Sequence, residues 1–191
     1  MKNVKRRLFS ILAAITLLTL LIFPVNAATT YGYGFASKPI TIYADNDFTP
    51  IEISQLKEAI SIWNNTSVGQ VLVYGGQRNL NSFYWMSDGV NGIVKASMGS
   101  NPITSMTGTT SPKVNGANII EADIAINKDL SYTNNSTTEG MFHVTRVYLH
   151  ELGHVLGLDD VENDNTTVMC EYYTGITYLT TQDITFLDTL Y

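Results

Sequence analysis

Histidine and cysteine are scarce in this chain: its 191 residues include three histidines and one cysteine, Cys170. One cysteine rules out an intrachain disulfide, so a hydrophobic core and any bound metal must hold the fold. Cys170 itself reads as a small buried residue, with a reactive thiol as the lesser alternative. Basic residues are few and unevenly placed. Lys2, Lys5, Arg6 and Arg7 stand at the start, leaving seven bases against all seventeen acids in the rest, a formal charge of −10. That balance argues against nucleic acid and anionic membrane as partners, and it suits a soluble secreted protein. No internal repeat, low-complexity tract or linker is visible, and the length suggests one domain.

The first 27 residues read as a signal peptide. A basic start is followed by an uncharged apolar run from Leu8 to Val25, the breaker Pro24, and small residues at Val25-Asn26-Ala27. An uncleaved membrane anchor is the rival reading, since eighteen apolar residues nearly span a bilayer. No cysteine near residue 27 could carry a lipid. Cleavage after Ala27 leaves residues 28–191, 164 in all, enough for one core. The expected product is a secreted monomer without stable membrane association.

Within that product, residues 28–38 read as an extended lead-in and Ile40–Tyr43 as a strand. Thr49-Pro50-Ile51-Glu52 has a capped helix start, and Ile53, Leu56, Ile60 and Trp63 continue at helical spacing up to Asn64-Asn65. Val71–Tyr74, Phe83–Met86, Ile93–Ala96 and Ala122–Asn127 read as strands, with Gly99–Gly116 and residues 131–138 as loops. A helical pattern starts near Thr138 and runs through Phe142, Val147, Leu149, Leu152 and Val155. Leu179–Asp183 opens a last short helix, with Ile184, Leu187 and Leu190 on one face. The order suggests an α+β fold.

His150 and His154 stand four residues apart on that long helix, one turn apart on one face. Two imidazoles so placed can reach one zinc at about 2 Å. Glu151, beside the first, can reach a water on the metal without binding the metal, as general base and then acid. A catalytic zinc takes three protein ligands and keeps one open position. Gly157 offers a helix stop and a turn, after which Asp160 can supply the third ligand. A turn carboxylate is the plainer role for Asp160, and Asp159 reads as a supporting or surface residue. The acidic run Glu162-Asn163-Asp164-Asn165 could hold calcium, although a solvated loop is the simpler reading.

These residues resemble the metzincin signature, H-E-x-x-H-x-x-G-x-x-H followed by a Met-turn, with Asp160 in place of the last histidine. An aspartate there is similar to the snapalysin-type secreted bacterial metzincins. His150 to Asp159 resembles the matrixin helix, and Thr167-Val168-Met169 stands where that family has its Met-turn. Tyr173, four residues past Met169, matches the tyrosine in the wall of the S1′ pocket, with Tyr172 as the alternative. Leu179–Ile184 through Leu190-Tyr191 resembles the terminal helix of bacterial matrixin domains. The clear resemblance covers residues 142–191.

The resemblance implies a zincin-like fold with a twisted, mostly parallel sheet, an active-site helix and a C-terminal helix. It implies a secreted zinc endopeptidase acting on protein or peptide substrates, with Met169 as a hydrophobic floor. There are departures. Cys170-Glu171 replaces the proline usual after the Met-turn, and no cysteine-bearing propeptide precedes the domain. A structural second zinc would need more histidines than His143, which lies two turns, about 10.5 Å, before His150 on a helix. One catalytic zinc is therefore expected. A secreted zinc-dependent binding module with little turnover is the alternative, which Glu151 argues against.

Overall fold

The computed structural model describes residues 30–80, 88–101, 106–135, 141–162 and 164–191. A short β1 (Gly34–Phe35) precedes β2 (Ile40–Asp45), where alternation buries Ile40, Ile42 and Ala44 on one face. In α1 (Pro50–Asn64) the capping box is realised: Thr49 accepts from Glu52 N, and Thr49 N donates to Glu52 Oε2 at 2.7 Å. The apolar stripe Ile53, Leu56, Ile60 and Trp63 is buried as its spacing predicts. At the end of α1, Asn64 Oδ1 accepts from Val71 N and Leu72 N, both at 2.9 Å, and so fixes the entry to β3 (Leu72–Arg78).

β4 (Asn91–Ala96), β5 (Gly108–Asn115) and β6 (Asn118–Asn127) complete the main sheet. Its order is β1-β6-β4-β2-β3 with every one of these pairs parallel, and β5 lies antiparallel along the other side of β6. β7 (Tyr132–Thr133) and β8 (Phe142–His143) form a small parallel pair leading into α2 (Val144–Val155), and α3 (Thr181–Asp188) ends the chain. Trp63 spans the core and donates from Nε1 to Leu149 O at 3.0 Å, which locks α1 to the turn of α2 just before His150. Leu149, Leu152 and Val155 are fully buried, each side chain contributing about 1.5–3 kcal/mol by leaving water. The α+β class and the mostly parallel sheet are as expected.

Several elements differ from their sequence readings. Gly99–Gly116 is not all loop, because its second half is β5. Thr109, Thr110 and Val114 favour extended backbone, and Pro112 is tolerated because β5 has no strand on its outer side among the described residues. Residues 131–138 include β7, and the lead-in includes β1. α2 starts at Val144, since His143 is extended and pairs with Thr133. His143 thus lies off the helix on which it was expected. In α3 the buried residues are Asp183, Phe186 and Leu187, with Ile184 and Leu190 only partly covered. The expected strand Phe83–Met86 and residues 1–27 lie outside the described residues. Among those described, no helix is long and apolar enough to cross a membrane.

Candidate metal centre

α2 presents His150 and His154 edge to face, ring centroids 4.6 Å apart, with their Nε2 atoms 3.1 Å apart. The helix then stops in a Schellman turn: Gly157 N donates to His154 O and Leu158 N to Gly153 O, both at 3.0 Å. Gly157 has φ +96°, and a Cβ there would strike the Tyr33 carbonyl, so only glycine serves. The chain folds back, and Asp160 Oδ1 comes to 3.3 Å from His150 Nε2 and 3.5 Å from His154 Nε2. Asp159 Oδ1 accepts from Asp160 N at 2.9 Å and steadies this reversal.

The three donor atoms form a nearly equilateral triangle of 3.1, 3.3 and 3.5 Å. Tetrahedral bonds of about 2.0–2.1 Å require ligand separations of about 3.3 Å, so the triangle has the size of one face of a zinc tetrahedron. Hydrogen placement points the same way. His150 Nδ1 lies 3.0 Å from Val168 O, and His154 Nδ1 lies 2.9 Å from Leu158 O. A carbonyl can only accept, so each neutral imidazole carries its proton on Nδ1 and turns an Nε2 lone pair inward. Two lone pairs and a carboxylate oxygen then face one point, which suits a cation. Zinc fits this donor set. The same arrangement attracts a proton. Burial works against the charged form of Asp160, but hydrogen bonds with His150 and His154 outweigh it and hold the carboxyl well below its usual range. Burial likewise opposes charge on His154, yet Asp160 and Glu151 together raise its pKa.

Glu151 is buried beside the triangle. Thr110 Oγ1 donates to its Oε2 at 2.7 Å and lies 3.1 Å from its backbone carbonyl. A Cβ on Gly108 would come within 2.6 Å of Glu151 Oε1, so the glycine opens the space for this carboxylate. Glu151, the three triangle residues, Tyr31, Thr110 and Glu171 are among the walls of a cleft of about 230 Å³.

Met169 is fully buried under α2, and a side chain at Gly153 would collide with its sulfur. The loop holding it is tied to α3. Buried Asp183 takes hydrogen bonds from Thr167 Oγ1, from Val168 N at 3.1 Å and from Thr180 N at 2.8 Å. Asp183 therefore places the Val168 carbonyl that orients His150. Tyr173 and Tyr172 both line a separate cavity of about 470 Å³ with Asp164, Cys170 and Thr174. Tyr173 stands edge-on to Phe142 and accepts from His143 N at 2.6 Å. Cys170 is buried, as expected. Asp164 accepts from Thr166 in an exposed turn. Among the described residues the one group with metal-ligand spacing is His150, His154 and Asp160.

The sequence reading missed Tyr31, Gly108 and Thr110, and saw in Asp183 only a helix start. Signals existed for two of these. The Thr-rich run before Pro112 marks an edge strand, and Thr180-x-x-Asp183 marks a capping box that is realised. Nothing local marks Tyr31 or Gly108.

Residues 97–191 match a peptidase family model described as Matrixin. Among solved structures, the chain is similar to archaemetzincin from Methanopyrus kandleri, with 13% identity, 78% of this chain and 94% of that one covered, and a TM-score of 0.48. It is also similar to high choriolytic enzyme 1, a hatching-enzyme zinc-protease of the medaka Oryzias latipes, with 12% identity, coverage of 82% and 92%, and a TM-score of 0.42. No curated protein matches the chain.

Proposed function

We propose that, in the matrixin-type zinc metalloendopeptidase domain matched by residues 97–191, His150, His154 and Asp160 hold the catalytic zinc while Glu151 moves the proton. The observation that carries this is the triangle of three inward-facing acceptor atoms. When bound, zinc supplies Lewis acidity to the scissile carbonyl and to the attacking water. Glu151 takes the water's proton and returns it to the leaving amine. Thr110 holds Oε2 and leaves Oε1 for that transfer. The Val168 and Leu158 carbonyls keep both imidazoles in the ligating tautomer. Met169 gives the site an apolar floor.

The substrate is a protein or peptide, which would lie extended along the outer side of β5, where no strand pairs among the described residues. Tyr173, at the cavity beyond Cys170, is the wall that would meet the residue after the cleaved bond. Residues 1–27 serve as a cleaved signal peptide, and residues 28–191 act outside the cell as a monomer.

The test compares the secreted protein with its Glu151→Gln variant. Both should bind one zinc per chain, while the variant should cleave peptides about 10²–10⁴-fold more slowly. Stoichiometric zinc with equally negligible cleavage of a broad peptide library by both forms would defeat the proposed role of Glu151.

A further inference from the structure

The segment that begins the described chain reaches the metal centre from far away in sequence. Thr30 forms an antiparallel bridge with Leu158, and Tyr31 N donates to Gly157 O at 3.1 Å. The Tyr33 carbonyl abuts Gly157 so closely that no Cβ would fit. At the arm's other end Tyr191 Oη accepts from Phe35 N and donates to Leu156 O, both at 3.1 Å. The arm thus lies along the turn that carries the chain from His154 to Asp160. It brings Tyr31 Oη to 3.3 Å from His154 Nδ1 and places Tyr31 in the wall of the cleft with Glu151 and Asp160. Tyr33 stacks on Tyr31, ring centroids 5.6 Å apart and planes 16° from parallel.

We propose that Tyr31 is a positioning residue of the zinc centre, its hydroxyl oxygen sharing the Nδ1–H of His154 with the Leu158 carbonyl, so that arm docking and zinc binding strengthen each other. This rests on His154 being a ligand, as proposed above. A ligating imidazole must aim its Nε2 lone pair along one line, and the hydrogen bond at Nδ1 sets that aim. Leu158 belongs to the same turn as His154 and shifts with it. Tyr31 sits on an independent segment, so two acceptors from two directions oppose a swing of the ring. A phenol oxygen suits this place because it accepts from Nδ1–H without adding negative charge beside Asp159 and Asp160. Coupling of this kind is reciprocal: an arm that favours zinc is itself held more firmly when zinc is bound.

Tyr31→Phe in the secreted chain tests the proposal, because it keeps the ring and its stacking and removes only the oxygen. Zinc affinity, read by competition with a chromophoric chelator, should fall about 10-fold. Tyr33→Phe, on the same arm, should keep the parent's affinity. Limited proteolysis supplies a second readout: zinc should slow cutting within residues 28–35 of the parent, and protect Tyr31→Phe less. Unchanged zinc affinity in Tyr31→Phe, or equal protection of both arms, overturns the proposal even if peptide cleavage declines. A parent that binds no zinc overturns the ligand assignment as well, a result distinct from a zinc-binding parent with an indifferent Tyr31→Phe.

Discussion

Residues 142–191 and the residues before them build one cleft by different means. The later stretch supplies His150, Glu151, His154, Asp160 and Met169 through short-range geometry: one helix face, one Schellman turn and one loop held by the cap of α3. The earlier stretch supplies Tyr31, Gly108 and Thr110 only after the sheet has closed, across separations of 123 residues for Tyr31–His154 and 41 for Thr110–Glu151. The proposed metal ligands are thus brought together locally, while the aim of the proposed base and the walls around it are set at long range. A change in the first region should disturb zinc and stability together, and a change at Gly108 or Thr110 in the second should disturb turnover with zinc left in place, Tyr31 being the long-range residue that touches a proposed ligand.

Asp183→Ala should give the largest effect and tests the first half of that contrast. It strips the partner from Thr167, Val168 N and Thr180 N, all at a buried carboxylate. We expect a stability loss of about 3 kcal/mol or more, since each hydrogen bond to a charged group contributes about 1.5–3 kcal/mol. Calorimetry should show a melting temperature lower by about 6–12 °C. Zinc affinity should drop about 10-fold as the Val168 carbonyl loses its place beside His150. A variant that melts with the parent would mean that the loop holds itself and that α3 is no part of the scaffold.

Gly108→Ala addresses the other half. The added methyl meets Glu151 Oε1 and must push the carboxylate aside. Displacement by about 1 Å can cost about 10²-fold in rate, so kcat should fall by that order while the zinc content stays at the parent's value. Thr110→Val keeps the volume and removes only the hydrogen bond to Oε2. A loss of about 1 kcal/mol, roughly 5-fold in kcat, is expected. If either change releases zinc, the division between ligation and base positioning does not hold.

The same division explains what could be read in advance. His150, His154 and Asp160 lie on periodic structure and a glycine turn, so residue spacing alone brought them together. The capped start of α1 and the alternation in β2 were equally visible, because each rests on neighbours a few residues away. β5 reads as loop in the sequence because Thr, Ser, Gly and Pro favour turns when no partner strand is known, and only pairing with β6 makes them a strand. Phe142 fits a helical period and so draws the expected start of α2 too early, whereas β8 claims it. Tyr31 and Gly108 have no local mark of their role, since what defines each is an atom contributed by a distant residue.

The contrast is drawn most finely by a change that should leave turnover untouched. Asp123, on β6, is buried, and Gly92 N donates to it at 2.9 Å. Burial, with a smaller contribution from Glu121 and Asp88, pushes its pKa from 3.8 to about 7. The folded state therefore holds this proton more tightly than the unfolded chain does. The stability it contributes is complete below about pH 4, is lost as pH rises toward and through about 7, and is absent at pH 8. Asp123→Asn keeps an acceptor for Gly92 N and never acquires the buried charge. Its melting temperature should exceed the parent's by about 2–4 °C or more at pH 8, and the gap should close by pH 4. The kcat for peptide cleavage should be the same for both proteins, because β6, the strand that carries Asp123, supplies none of the described residues that line the cleft. A kcat that changes with the substitution would bring β6 into the site and erase the boundary between scaffold and walls in the earlier half of the chain.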